Sequence, residues 1–190
     1  MVQNRAFQYS GNFTVSTAHY FPVNGASLTI QNLTEPLSKA LPASMRVATG
    51  NGTSTGRIGF RNDGYFGMDV KQQTYTGSFW VKGAYNGTFT ASLDSNLTAD
   101  CFGSVEVPSK AVADQWTEHT FELIPTRNAP NSNNTFGITF NPSGVAGGAL
   151  DFNLISLFPP TYKGRKNGLR IDLAEALADM NPVSLPAPSR

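Results

Sequence analysis

The chain has 190 residues, a formal net charge of +1 and only 14% charged residues. That length suits one ordinary domain with a sizeable core. The thin, balanced charge leaves no electrostatic footprint for nucleic acid or an anionic membrane, so we expect neither as a partner. An aromatic fraction of 11% and 18 glycines favour short strands joined by polar turns over a helical or disordered chain.

Predicted strands recur about every 10 to 15 residues, with turn residues between them. The pair 26–33 and 44–48 is interrupted by Pro36 and Pro42, and the stretch from Gly50 to Gly59 is predicted to be an exposed loop. From Tyr75 onward apolar and polar residues alternate strictly, which is typical of half-buried strands. The later predicted strands lie around 75–82, 88–93, 101–107, 116–124, 136–140 and 150–154. This spacing predicts an antiparallel sandwich or barrel.

One segment breaks the period-2 pattern. Between Arg170 and Met180, the apolar residues are spaced for one face of a helix, which Asn181-Pro182 ends. They are Leu169, Leu173, Leu177 and Met180. We therefore predict a sandwich domain over 1–160, followed over 161–190 by a linker, a short helix spanning 169–180 and a tail.

Cysteine and histidine usage excludes several kinds of site. Cys101 is the single cysteine, so no disulfide can form within the chain, and its strand-like surroundings predict a buried, inert thiol. His19 and His119 have no Cys or His neighbours at zinc-ligand spacing. We expect His119 to be an ordinary strand residue, and we expect no cofactor.

The sequence gives conflicting signals about the cell compartment. The first fifteen residues contain no continuous apolar stretch, and no long apolar run follows, so we expect neither a signal peptide nor a membrane span in the chain as given. Six Asn-x-Ser/Thr triplets nevertheless indicate a secretory ancestry. Their asparagines are Asn12, Asn32, Asn51, Asn86, Asn96 and Asn133. A β protein rich in Thr and Asn also makes such triplets by chance, which leaves a cytoplasmic protein as the alternative.

Five segments carry a resemblance to a known family: Asn4–Gln8, Gly64–Gly67, Val70–Phe79, Pro130–Phe136 and Leu150–Thr161. Over roughly residues 3–181 the chain resembles the carbohydrate-binding-module-like β-sandwich region of fungal family 51 glycoside hydrolases, the α-L-arabinofuranosidases. The resemblance implies an all-β fold, a jelly-roll antiparallel β-sandwich with a short C-terminal helix, and an extracellular location. In that family the acid/base and nucleophile glutamates lie in a barrel. The resemblance thus implies a sandwich without its barrel, no catalytic residue and no arabinofuranosidase activity.

A sandwich of this kind binds sugars by stacking them on exposed aromatic rings and by satisfying their hydroxyls with nearby polar groups. The candidate sugar contacts are Trp80, Tyr65, Phe66, Tyr75, Trp116, Tyr85, Arg61, Asn62, Asp63 and Gln72. Trp80 shares its strand face with Ser78 and Lys82, so it is either a stacking platform on a solvated face or a core residue of a second inner face.

Related family 4 and 9 modules hold a structural calcium, and the resemblance places Gln8 and Asn153 where calcium carboxylates would stand. Calcium prefers several carboxylate ligands, so we expect no tightly bound metal.

Three functions remain open from the sequence. The first is non-catalytic glycan binding by a lectin-like or accessory module, with a leaderless cytoplasmic lectin as the alternative to a secreted one. The second is a structural or interaction domain that forms a homodimer through the 169–180 helix and binds no glycan. The third is a remnant glycosidase built from Glu106, Glu118 and Glu122, although alternating glutamates on strands are more typical of a solvated face.

Overall fold

A computed structural model describes residues 1–8, 15–49, 56–165 and 168–180. Within these residues, ten strands form two five-stranded sheets, ordered β1-β4-β9-β6-β7 in the first sheet and β2-β3-β10-β5-β8 in the second. Their bounds are β1 Tyr20–Val23, β2 Ala26–Asn32, β3 Ala43–Thr49, β4 Ile58–Asn62, β5 Tyr75–Lys82, β6 Thr88–Ser95, β7 Cys101–Pro108, β8 Thr117–Leu123, β9 Asn134–Phe140 and β10 Ala149–Phe158.

All strand pairs are antiparallel. The predicted antiparallel jelly-roll sandwich with a short C-terminal helix is confirmed. By its internal contacts the chain divides into one unit over Met1–Phe158, which holds both sheets, and another over Pro159–Arg190.

The core lies between the sheets and is rich in phenylalanine. Phe152 of β10 is at its centre, with ring centroids 5.1 Å from Phe60, 6.0 Å from Phe140, 6.1 Å from Phe89 and 6.2 Å from Phe79. These five side chains are essentially inaccessible to solvent. Because alternate residues of a strand face opposite sides, the predicted period-2 pattern is what directs these rings inward.

The sequence patterns did not predict β1 or β4. Strand β4 begins inside the stretch that was predicted to be a loop, and Gly59 is one reason. A Cβ atom at Gly59 would lie 2.0 Å from the carbonyl oxygen of Ile138 in β9. The glycine that looks like a turn signal is thus required for a close approach between two neighbouring strands.

The prediction that Cys101 is buried is wrong. The register between β6 and β7 shifts at Leu93/Asp94, and this bulge turns Phe102 into the core while Cys101 is exposed. Partial burial of the Cys101 sulfur and its hydrogen bond to Asp94 raise the pKa of the thiol, which favours the protonated form.

His119 lies in strand β8, as predicted, and its side chain is buried. It is 2% exposed and stacks on Phe79, with ring centroids 5.1 Å apart. Its Nε2 accepts a hydrogen bond from the Lys110 amide at 2.9 Å, and its Nδ1 donates to the Thr117 carbonyl at 3.2 Å. Burial lowers the pKa of His119, and this hydrogen-bond pattern fits the neutral ring.

This buried histidine predicts a loss of stability in mild acid. The unfolded chain protonates His119 below its ordinary pKa of about 6.5, whereas the folded chain resists that proton, so the unfolded state binds more protons there. The free energy of unfolding should therefore fall as pH drops below about 6.5. Urea unfolding between pH 7.5 and 5 should show a shallower fall for His119→Gln, which keeps a neutral side chain with a donor and an acceptor. Equal pH slopes for both proteins would contradict the prediction.

The second unit contains helix α1, Ile171–Asp179, which lies within the predicted helix 169–180 and is slightly shorter at both ends. No residue of α1 is buried, and Leu173 and Leu177 are 50% and 47% exposed. Among the described residues, no helix is both long and apolar enough to cross a membrane.

Candidate functional site

A groove of about 410 Å³ opens along β1 on the outward face of the first sheet. It is lined by Phe21, Pro22, Val23, Asn24, Arg61, Asp63, Asn96 and Thr135. These residues come from β1 and the turn after it, from the end of β4, from the loop after β6 and from the start of β9. The groove therefore exists only once four separate segments have been brought together.

Strand pairing sets the wall of the groove. Phe21 lies opposite Arg61 in the β1–β4 ladder, and both side chains point outward because their neighbours Tyr20 and Asn62 are buried. Arg61 lies opposite Gly137 in β9. A Cβ atom at Gly137 would lie 3.4 Å from Arg61 Cγ, so the arginine side chain packs directly over this glycine.

The polar groups of the groove differ in how they are paired. His19 Nδ1 and Asp63 Oδ1 lie 3.0 Å apart, which holds the carboxylate in place. The Arg61 side chain makes no hydrogen bond or ion pair with any residue in the described part of the chain. Thr135 is 3% exposed, and its buried Oγ1 has no hydrogen-bond partner among the described residues.

An unpaired buried hydroxyl is costly unless a partner arrives, because it has lost its water without gaining a protein bond. Beside it, Phe21 is 51% exposed and offers an apolar face. The groove thus offers an aromatic face, a fixed carboxylate, and a guanidinium and a hydroxyl that have no hydrogen-bond partner among the described residues. This combination suits a small ligand that is apolar on one side and rich in hydroxyls on the other.

Comparisons with known proteins place the chain in a family context. No protein-family model matches the chain. It is 37% identical over 145 residues to α-L-arabinofuranosidase A of Aspergillus kawachii, a match covering 76% of this chain and 23% of that protein. A solved, arabinose-bound family 51 α-L-arabinofuranosidase aligns with a TM-score of 0.85 and 35% identity, over 95% of this chain and 30% of that one.

The chain is a homologue of one region of the fungal family 51 α-L-arabinofuranosidases. It spans about a quarter of the length of the curated relatives that it matches. A solved family 4 carbohydrate-binding module shares the fold at a TM-score of 0.50 and 12% identity, covering 74% of this chain and 94% of that module. The sequence resemblance to the sandwich region of this enzyme family is thereby confirmed.

The structure brings two of the predicted site residues into the groove, Arg61 and Asp63. Tyr65 and Phe66 follow directly in the loop after β4 and are strongly exposed, Phe66 completely. Phe66 also has a φ of 56°, a backbone conformation uncommon for a bulky residue. These two aromatics therefore lie close in sequence to the groove residues and are accessible to a ligand.

Three predicted sugar contacts are buried and already bonded, so the structure does not present them to a ligand. The Tyr75 hydroxyl accepts from the Lys71 amide at 2.9 Å, and the Tyr85 hydroxyl donates to the Thr88 carbonyl at 3.0 Å. Asn62 Oδ1 accepts from the amides of Gln3 and Gly64, at 3.1 and 3.0 Å. Their side chains hold loops against the sandwich, and sequence alternation alone cannot separate that role from exposure.

The remaining candidates lie away from the groove. Trp80 is half-buried on the outward face of the second sheet, opposite Asn153 and Glu118 in the neighbouring strands. Trp116 is also half-buried, and its Nε1 donates to the Glu35 carbonyl at 3.3 Å. Gln72 is exposed in the loop before β5. Trp80 is thus on an outer face, which is one of the two alternatives that its alternation left open, but it is partly covered.

Sequence reasoning missed Phe21, the one aromatic residue among the described residues that line the groove. Its signal was the short alternation Tyr20-Phe21-Pro22-Val23, in which Tyr20 is buried and Phe21 is exposed. Pro22 argued against a strand here, because proline weakens a strand prediction. However, β1 is an edge strand, where proline is tolerated.

The three glutamates of the hydrolase hypothesis do not converge. Glu106 lies in β7 of the first sheet, whereas Glu118 and Glu122 lie in β8 of the second. The latter two are four residues apart along one strand, which separates their Cα atoms by about 13 Å. Glycosidases need two carboxyl groups about 5 to 10 Å apart, so this arrangement gives no support to that chemistry.

The degenerate calcium positions hold amide hydrogen bonds. Gln8 Nε2 donates to the Ala40 carbonyl at 3.0 Å, and Asn153 Nδ2 donates to the Ala43 carbonyl at 2.9 Å. Within the described residues, no group of three or more His, Cys, Asp or Glu side chains is placed to hold a metal ion. The absence of a tight metal site stays a prediction.

Four of the six candidate glycosylation asparagines lie in the described residues and are exposed: Asn32, Asn86, Asn96 and Asn133. Asn12 and Asn51 lie outside the described residues. Asn96 is the one that also lines the groove.

Proposed function

We propose that the groove along β1 binds carbohydrate without cleaving it, with Phe21 as the stacking face and Arg61, Asp63, Asn96 and Thr135 as hydroxyl partners. The observation that carries this proposal is that Thr135 lines the groove and that its buried hydroxyl has no hydrogen-bond partner among the described residues. A sugar hydroxyl placed beside it removes the penalty of that unpaired group.

The homology supports the choice of ligand class. The relatives are named for hydrolysis of arabinofuranosides, and one was solved with arabinose bound. We propose that the groove takes arabinose-bearing plant polysaccharide or a related β-linked chain. Its volume of about 410 Å³ is within the range of small-ligand sites and accommodates a short oligosaccharide rather than a long chain.

The groove predicts that each of two single substitutions weakens sugar binding. Phe21→Ala should weaken binding of an arabino-oligosaccharide about tenfold, because it removes the apolar face on which the sugar packs. Thr135→Val keeps the shape of the side chain and removes only the hydroxyl. It should leave thermal stability unchanged or raised, since Oγ1 has no partner in the free protein, yet weaken binding about tenfold.

Isothermal titration calorimetry on protein made in bacteria checks both variants. Phe158→Ala is the matched control, because Phe158 is 44% exposed and lies at the end of β10 in the other sheet. Binding by the parent chain that survives Phe21→Ala and Thr135→Val, or no binding to any arabinose-bearing or β-linked glycan at millimolar sugar, contradicts the groove. Loss of binding in Tyr65→Ala and Phe66→Ala alone relocates the site to the loop after β4.

We also propose that the chain has no glycosidase activity of its own, since its strand glutamates are spread over two sheets. A chromogenic arabinofuranoside should release no product above background.

The exposed Asn-x-Ser/Thr triplets support an extracellular location, which remains part of this proposal.

A second function is favoured by the exposed apolar residues of the second unit. Leu169, Leu173 and Met180 are 53%, 50% and 68% exposed, an arrangement suited to pairing with the same helix of a second copy. Sedimentation equilibrium tests this homodimer. Leu173→Glu together with Leu177→Glu should give a monomer, and a parent chain that is already monomeric at high concentration excludes it.

A further inference from the structure

Two of the glycosylation triplets meet at the rim of the groove. Asn96-Leu97-Thr98 follows β6, and Asn133-Asn134-Thr135 leads into β9. Although the asparagines are 37 residues apart, the Asn96 amide donates to the Asn133 carbonyl at 3.0 Å, and Asn96 Nδ2 donates to Asn133 Oδ1 at 3.1 Å. Both side chains are exposed.

That contact places the two side-chain nitrogens to which glycans would be attached close together. The oxygen and nitrogen of one amide are about 2.2 Å apart, so Nδ2 of Asn96 and Nδ2 of Asn133 lie within about 5.5 Å of each other. Two glycan stems leaving from points that close would collide or push the side chains apart. Separating them breaks the Asn96–Asn133 hydrogen bond and disturbs the groove wall that Asn96 forms.

The chemistry of attachment is the same at both residues. Nδ2 forms a bond to the anomeric carbon of a lipid-linked oligosaccharide, the bond from that carbon to the lipid pyrophosphate breaks, and the amide loses one proton. The remaining N–H of a modified Asn96 can still donate to Asn133, so one glycan is compatible with the fold. Leu97, which is 64% exposed beside Asn96, would be covered by such a glycan.

We propose that Asn96 and Asn133 act as one shared glycosylation site, in which the native protein carries a glycan on one residue of the pair but not on both. We further propose that a glycan on Asn96 blocks the groove, whereas one on Asn133 leaves more of it open. Only the blocking clause rests on the proposed carbohydrate-binding function.

Occupancy measured after secretion from a eukaryotic host tests the shared site. Glycopeptide mass spectrometry of the unaltered chain should give fractional occupancies of Asn96 and Asn133 that sum to no more than one. In a variant with Asn12, Asn32, Asn51 and Asn86 changed to Gln, the intact mass of the folded protein should show at most one glycan. A folded species carrying both glycans, or no glycan on either residue, overturns the proposal.

Binding measured on two single variants tests the blocking clause. Asn133→Gln leaves Asn96 as the acceptor, and Asn96→Gln leaves Asn133. The glycosylated Asn133→Gln protein should bind an arabino-oligosaccharide at least tenfold more weakly than the same protein trimmed to one N-acetylglucosamine, with a smaller change for Asn96→Gln. Equal affinities before and after trimming overturn blocking. If unglycosylated bacterial protein binds no sugar, the proposed function fails while the occupancy result stands.

Discussion

Replacing Phe152 with alanine should lower the free energy of unfolding by about 3–5 kcal/mol. Phe152 packs against four phenylalanine rings from both sheets, at centroid distances of 5.1 to 6.2 Å. Its removal leaves a cavity between the layers that neither sheet can close, because both are fixed by their ladders.

Urea denaturation followed by tryptophan fluorescence measures the loss. Phe158→Ala is the control, since Phe158 ends the same strand but is 44% exposed. It should cost less than about 1 kcal/mol, including its cation–π contact with Arg5. If Phe152→Ala fails to fold, Phe152→Leu should fold with a smaller loss. Equal effects of Phe152→Leu and Phe158→Ala would contradict the central position of Phe152 in the core.

Replacing Arg46 with methionine should cost about 2–3 kcal/mol at pH 7. Arg46 Nε and Nη2 donate to the two carboxylate oxygens of Asp151 at 2.9 and 2.8 Å, and this hydrogen bonding raises the pKa of Arg46. The Asp151 side chain is only 9% exposed, so the variant leaves a carboxylate nearly buried without this partner. We place the cost below that of a fully buried pair because the Arg46 side chain is 38% exposed.

Neighbouring charges should not rescue this variant. Lys82 lies opposite Asp151 in β5, but its ammonium pairs with Glu35 at 3.5 Å. A double-mutant cycle with Asp151→Leu shows whether the loss in Arg46→Met comes from the unpaired carboxylate. Removing both charges should restore much of the stability lost in Arg46→Met. If the free energy of unfolding of Arg46→Met lies within about 0.5 kcal/mol of that of the parent, the ion pair contributes little to stability.

The alternation of apolar and polar residues predicted most of the strands, because it depends only on residues within the same strand. The alternation of Phe79 and Val81 with Ser78 and Trp80 is visible in the sequence, and the structure buries the first pair and turns the second outward. The α1 helix was predictable for the same reason. Each of these elements is set by neighbouring residues and by a simple inward or outward choice.

Pairing between distant strands was not predictable in this way. The bulge beside Asp94 exchanges Cys101 for Phe102 in the core, and the close approach at Gly59 depends on β9, some 80 residues further along the chain. The groove also depends on pairing between strands that are distant in the sequence. Arg61 and Asp63 could be proposed as polar candidates, but Phe21 joins them only through the β1–β4 ladder.

Mapping amide chemical shifts during a sugar titration tests the central claim most directly. With an arabino-oligosaccharide added to ¹⁵N-labelled protein, shifts should concentrate on Phe21, Arg61, Asp63, Asn96 and Thr135, which line the groove. The outward face of the second sheet around Trp80 should remain unchanged. Saturable shifts confined to Trp80 and its strand neighbours, or to the loop with Tyr65 and Phe66, would contradict binding in the groove along β1.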